Sequence, residues 1–148
     1  MNIVNEMKLQ IPGKSTNESF ARTAVSAFAA QLDPTIDEIA DIKTAVSEAV
    51  TNCIVHGYVD KIGQVYIHAK IYEDNTLTIK IRDRGCGIGD IKEAMQPLFT
   101  TCTTGERAGL GFAVMQSFMD KVRVSSTPLK GTCVVLTKKL LSKGAQNA

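Results

Sequence analysis

In the segment SEAVTNCIVHGY, Glu48, Asn52 and His56 recur at every fourth residue before Gly57. On a helix these three stack along one side. A carboxylate there can take a proton, an amide oxygen can ligate a hard cation, and an imidazole can do either. Taken alone, such a stripe reads as a solvated helix face. Counting from Val46 at the centre of the apolar side puts Glu48 at about 200° and Asn52 at about 240°, clear of the core. His56 drifts to about 280°, the flank of the core, and reads as a helix-end hydrogen-bonding residue rather than a catalyst.

The other half of a site has to come from downstream. DRGCGIG, Asp83 to Gly89, follows a strand pattern, and its glycines allow positive φ and close approach of a ligand to the backbone. Its G-x-G-x-G spacing opens no helix, so it is not a dinucleotide fingerprint. GERAGLGF, Gly105 to Phe112, runs straight into a helix pattern, which offers backbone N–H groups to an anion. It lacks the GK[ST] of a P-loop, which excludes that class of NTPase. Each segment alone is compatible with a turn or a loop; their combination with Asp83 and with Glu48 and Asn52 in register shifts the balance toward a site.

The elements that must position these groups follow from periodicity. NEMKLQI alternates as a half-buried strand ended by Pro12 and Gly13. Ser15 with Glu18 predicts a capping box for a helix running to about Leu32, with Phe20, Ala24, Ala27, Phe28 and Gln31 near one face. Thr35 with Glu38 predicts a second box, opening a helix with an apolar stripe through Ile39, Ile42, Val46, Ala49, Val50, Cys53 and Ile54. Gly57 is its expected stop. QVYIHAKIY and TLTIKIRD form a hairpin through Glu73–Asn75. A short helix around Ile91–Met95 and a long polar stretch, QPLFTTCTTGERAGLG, precede a helix beginning at the Gly109/Gly111 pair. A closing hairpin turns at Pro128–Gly131, and the tail is expected to fray. The order predicts one domain over 1–148: an α/β two-layer sandwich with a mixed, mostly antiparallel sheet and helices on one face.

The totals narrow the class. A chain of 148 residues, 44% hydrophobic and 22% charged, buries enough surface to fold unaided. A net charge of +2 and the lack of a basic block argue against direct nucleic-acid binding. No apolar run is long enough for a membrane span and no signal core is present, so a cytoplasmic location is expected. Four cysteines without CxxC spacing and two histidines argue against zinc, and a disulfide framework is not expected. Cys53 and Cys133 read as buried thiols.

Four motifs in order, EAVTN, DRGCG, GLG and KGT, give the chain a resemblance to the Bergerat-fold (GHKL) ATP-binding domains of gyrase, histidine kinases and MutL proteins. More narrowly, NESFAR, AFAAQLDPT, SEAVTN with HGY, QPLFTT and ERAGLGF resemble the serine kinases that act as anti-sigma factors, closest to the sporulation branch. The departure is Cys102–Thr103, where members of that subfamily often carry Lys-Pro.

The resemblance implies roles for named residues. Asp83 accepts a hydrogen bond from the adenine amino group, with Gly85, Gly87 and Ile88 against the base and Thr132 assisting from the next strand. Asn52 ligates Mg²⁺. Arg107 and the backbone of Gly109, Leu110, Gly111 and Phe112 hold the phosphates of ATP or ADP, with Thr100 and Thr101 in the lid. Glu48 is the general base, and Arg22 lies on the partner surface. The implied activity is a protein serine/threonine kinase that inhibits a sigma factor of the sigma F type and phosphorylates a serine of its anti-anti-sigma antagonist, acting as a homodimer. Two alternatives remain: a nucleotide-gated sigma-binding module with negligible catalysis, and a stress-response switch kinase with other partners.

Overall fold

Alternation sets the sheet. The computed structural model describes residues 1–58, 62–86 and 108–141. Its strands are β1 (Ile3–Pro12), β2 (Gln64–Tyr72), β3 (Thr76–Asp83), β4 (Lys121–Thr127) and β5 (Gly131–Lys139). They hydrogen-bond in the order β1-β2-β3-β5-β4. Every pair among the described strands is antiparallel, so the sheet is not mixed as expected. The reason is topological: both hairpins join neighbours directly, and the connection from β3 to β4 returns to the far edge.

Register places like residues in rows across the sheet. Leu9, Ile67, Ile81, Val134 and Val124 are partnered in succession, and so are Met7, Ala69, Ile79, Leu136 and Val122. These rows face the helices; Ile67, Ile79, Ile81 and Leu136 are fully buried, each worth about 1.5–3 kcal/mol. The opposite face gathers Lys8, Lys70, Lys80 and Arg82, which are scattered along the chain. The guanidinium groups of Arg82 and Arg84 lie 4.8 and 4.9 Å from the ring centre of Tyr66. A basic cluster therefore exists in space, because a period of two collects on one face what no run of sequence contains.

The helical layer comprises α1 (Thr16–Ala29), continued by a 3₁₀ turn at Ala30–Leu32, then α2 (Ile36–Thr51) and α3 (Ala108–Phe118). Thr35 forms the expected capping box: its Oγ1 accepts from Glu38 N at 3.0 Å, and Glu38 Oε1 accepts from Thr35 N at 2.9 Å. The Ser15 box does not form. Ser15 is itself helical in φ and ψ, and the Glu18 carboxylate instead accepts from Ser47 Oγ on α2. A tertiary partner has displaced a local one.

The buried side of α1 also differs from expectation. Ala21, Val25, Phe28 and Ala29 face the core, while Phe20 is 52% exposed. The apolar residues of α1 occupy two overlapping stripes, and packing against α2 selects the one with small residues at the contact. On α2 the stripe is as expected, with Ile42, Val46, Ala49, Val50 and Cys53 buried. Lys138 binds the layers together: its Nζ donates to Phe118 O at the end of α3 (2.8 Å) and lies 3.5 Å from Asp41 of α2.

Candidate nucleotide site

The α2 helix does not run regularly to Gly57. After Thr51 it widens into a π turn, Asn52–Gly57, closed by Tyr58 N donating to Cys53 O at 3.1 Å. Glu48 and Asn52 therefore keep their one-turn relation, with Asn52 N–H donating back to Ala49 O and Glu48 O. His56, beyond the widening, is rotated inward and is 4% exposed, past the flank position that a regular helix gives it. The same turn carries Gly57 onto the end of β3.

There it meets Asp83, a carboxylate 4% exposed at the last position of the strand. Asp83 Oδ1 accepts from Gly85 N at 2.8 Å and from Thr132 N at 3.3 Å; Asp83 and Thr132 are cross-strand partners. The Cys53 thiol donates to the same carboxylate. Burial pushes the Asp83 carboxyl above its ordinary value, and these three donors only partly offset it. Burial, and then the charge of Asp83, push the Cys53 thiol well up, so it remains protonated as a donor. Thr132 thus contributes its backbone N–H, while its hydroxyl is 3.1 Å from that of Ser126.

Glycines make this packing possible. A Cβ on Gly57 would lie 2.7 Å from Asp83 Oδ2, and one on Gly85 would overlap the Gly57 carbonyl. Gly131, at φ 126°, sits against the Asp83 backbone where no other residue fits. Cys86 N then donates to Gly57 O at 2.9 Å, fastening the glycine segment to the π turn. Gly57→Ala is expected to cost about 1–3 kcal/mol through overpacking and to displace the carboxylate. Urea unfolding combined with a fluorescent-nucleotide titration would register both losses.

On the other side, α3 begins at Ala108, so Gly109 and Leu110 lie in its first turn, where backbone N–H groups lack intrahelical partners. Gly111 approaches α2 so closely that a Cβ would be 2.9 Å from Asn52 Nδ2. Phe112, named as a phosphate contact, is the fifth residue of the helix and is buried in the core at 4% exposure. Its role is packing, because a fifth residue has its N–H inside the helix ladder. Gly87, Ile88, Thr100, Thr101 and Arg107 lie outside the described residues, as do the short helix near Ile91–Met95 and Cys102–Thr103. Arg22 is on α1, away from Asp83, with its Nη2 donating to Ser19 Oγ at 3.3 Å and its guanidinium 4.0 Å from Glu18.

Two observations bear on what the site can hold. Asn52 Nδ2 is buried with no hydrogen-bond partner among the described residues, which leaves one amide poised for a missing polar group. Asp83 has about four lone-pair sites and three donors, so one position is left for a further N–H. An amino-bearing base at Asp83 and a phosphate oxygen accepting from the Asn52 NH₂ fit these groups, and the oxygen of the same amide is of the type that ligates a phosphate-bound cation. Sequence reasoning missed Gly57 and Gly131 as walls and Cys53 as a donor; a helix stop and a close approach both present simply as glycine. Cys86 is disulfide-bonded, whereas Cys53 and Cys133 are free. The bond was not expected because cytosolic thiols are ordinarily kept reduced. Cys133 is only half-buried, not buried. Among the described residues no helix is long and apolar enough to cross a membrane.

Similarity to known proteins agrees with this arrangement. The histidine kinase-like ATPase domain family matches residues 11–138. The anti-sigma F factor of Thermoanaerobacter sp. (strain X514) is 64% identical over 138 residues, covering 93% of this chain and 96% of that one. That of Clostridium novyi (strain NT) is 55% identical over 139 residues, covering 93% and 96%. Among solved structures, the RsbU and RsbW domains of a Mycobacterium tuberculosis protein superpose with a TM-score of 0.69 at 20% identity, over 93% of this chain and 33% of that one. A mycobacterial sensor histidine kinase, MprB, gives 0.59 at 14% identity, over 90% and 99%. The latter two speak for the fold alone. With a nucleotide-type site built between its π turn, β3 and α3, the chain belongs to the histidine kinase-like ATPase family and, within it, to the anti-sigma F factors.

Proposed function

We propose that this chain is an ATP-dependent protein serine kinase and anti-sigma switch of the cytoplasm. It binds a sigma factor of the sigma F type, and it phosphorylates a serine on a small anti-anti-sigma protein. The observation that carries the reading is the pairing of a buried acceptor, Asp83, with an orphaned amide at Asn52, one helical turn from Glu48. In this reading Asp83 selects adenine through its amino group, and the first turn of α3 receives phosphate oxygens. The Asn52 amide oxygen is the protein ligand for Mg²⁺, which when bound neutralises phosphate charge.

The acceptor serine oxygen bonds to the γ-phosphorus, and the bond from that phosphorus to the β,γ-bridging oxygen breaks. ADP leaves with the electron pair, and Glu48 takes the hydroxyl proton. Arg22 contributes to the partner surface, and two copies of the chain form the working unit. Incubation with γ-labelled ATP, with and without the anti-anti-sigma protein, tests the reading. Label on the acceptor serine is the expected result; nucleotide retained with no label on the acceptor would reduce the chain to a nucleotide-gated binding module.

A further inference from the structure

The Asp83 carboxylate is held from two layers of the fold. Gly85 N, at the exit of β3, and Thr132 N, on β5, converge on its Oδ1 at 2.8 and 3.3 Å. The third donor comes from the helical layer: the Cys53 side chain, a free thiol 4% exposed. By periodicity Cys53 continues the apolar stripe of Val46 and Val50, and all three pack in the core. A core position asks only for an apolar group of the right volume, and a buried cysteine ordinarily serves as one. Here its weak S–H donor also meets a charged acceptor.

The π turn fixes the direction of that donor. It closes on Cys53 itself, whose carbonyl accepts from Tyr58 N at 3.1 Å. The same turn sets Gly57 against Asp83, where a Cβ would be 2.7 Å from Oδ2. Two backbone donors on one oxygen leave the carboxylate able to pivot about that oxygen, because the terminal torsion of an aspartate is broad. A third donor from another direction removes this freedom and leaves one acceptor position open. Asn52, the preceding residue of the turn, carries the buried Nδ2 that lacks a partner among the described residues. The groups that face base and phosphate are thus governed by adjacent residues of one turn.

We propose that Cys53 is a positioning residue for base recognition: its S–H locks the Asp83 carboxylate so that the remaining acceptor position meets the 6-amino group of a purine. The inference rests on the proposed adenine reading and adds to it the residue that makes the carboxylate selective. Cys53 acts through Asp83 rather than on the nucleotide. A packing residue and a positioning residue rank their substitutes in opposite orders. Valine and alanine suit an apolar site better than serine does. Only serine keeps a donor at nearly the shape of cysteine.

Calorimetric titration of the full chain with Mg²⁺-ATP, and with purine riboside triphosphate, which lacks the 6-amino group, tests this. The parent should prefer ATP. Cys53→Ala and Cys53→Val should bind ATP about fivefold more weakly, and Cys53→Ser within about twofold of the parent. None of the three should lose affinity for the analogue, since it makes no bond to the carboxylate. In the parent itself, the infrared S–H stretch that disappears in the Cys53 variants should lie at the hydrogen-bonded end of the thiol range. Equal losses for ATP and the analogue would overturn the inference and leave Cys53 a packing residue. So would parental ATP affinity in the alanine and valine variants, serine no better than alanine, or an S–H stretch at the free-thiol position. A parent that does not distinguish ATP from the analogue would overturn the adenine reading itself, and the inference with it.

Discussion

Glu48→Ala is expected to bind ATP as the parent does and to transfer phosphate about 10²–10⁴-fold more slowly. Glu48 and Asn52 are one turn apart on a segment that is still regular, because the π turn begins only at Asn52. Glu48 lines a cavity between α1 and α2 while Asn52 is turned toward α3, so in the proposed reading acceptor and nucleotide meet across one helical turn. Removing the carboxylate takes away the proton acceptor without touching Asp83 or the start of α3. Nucleotide affinity is the internal control, read by fluorescence titration beside the labelled-ATP assay. Transfer at the parental rate by a variant that still binds would remove Glu48 from the mechanism.

Legibility in the sequence followed the range of the interactions. The strands, both hairpin turns, the Thr35 capping box and the α2 stripe are local or periodic, and each is present as expected. Ser15 and Glu18 have the same local pattern as Thr35 and Glu38. They form no box because Ser47, 29 residues away from Glu18, competes for the carboxylate. Nothing in the spacing of NESF encodes that competitor. The π turn was hidden for a related reason: its sequence, NCIVHG, suits a regular helix until Gly57 is pulled onto Asp83.

For the site, the motifs supplied Glu48, Asn52, Asp83, Gly85 and Thr132, and the fold brings the last three into hydrogen-bonding contact. The walls around Asp83 come from segments 26 and 48 residues away, Gly57 and Gly131, whose function depends on a surface that exists only once the chain has folded. The basic face behind the sheet has the same origin. Its lysines and arginines are alternate residues of separate strands, so a net charge of +2 concealed them.

Asp83→Asn is expected to stabilise the nucleotide-free fold while weakening ATP binding roughly 10–100-fold, the worth of a hydrogen bond to a charged group. The stability half follows from the sign of the shift. The ordinary value of the carboxyl is 3.8, and burial raises it in the folded state. Between that value and the raised one, the folded protein holds a proton that the unfolded chain has released. Stability therefore falls as pH rises through this window, and above it the full cost of a buried charge remains. Asparagine removes that cost and still accepts from Gly85 N and Thr132 N through its oxygen. Thermal melts of the variant should lie above the parent at pH 7, with the gap closing as pH falls toward the ordinary carboxylate value. The binding half follows from orientation. With the asparagine oxygen held by Gly85 and Thr132, its NH₂ takes the place of Oδ2, and an NH₂ opposed to the adenine amino group sets donor against donor. A function-bearing carboxylate that the empty fold would be more stable without is what a binding site predicts and a structural aspartate does not. Lower melting temperature together with unchanged ATP affinity would assign Asp83 to the scaffold instead.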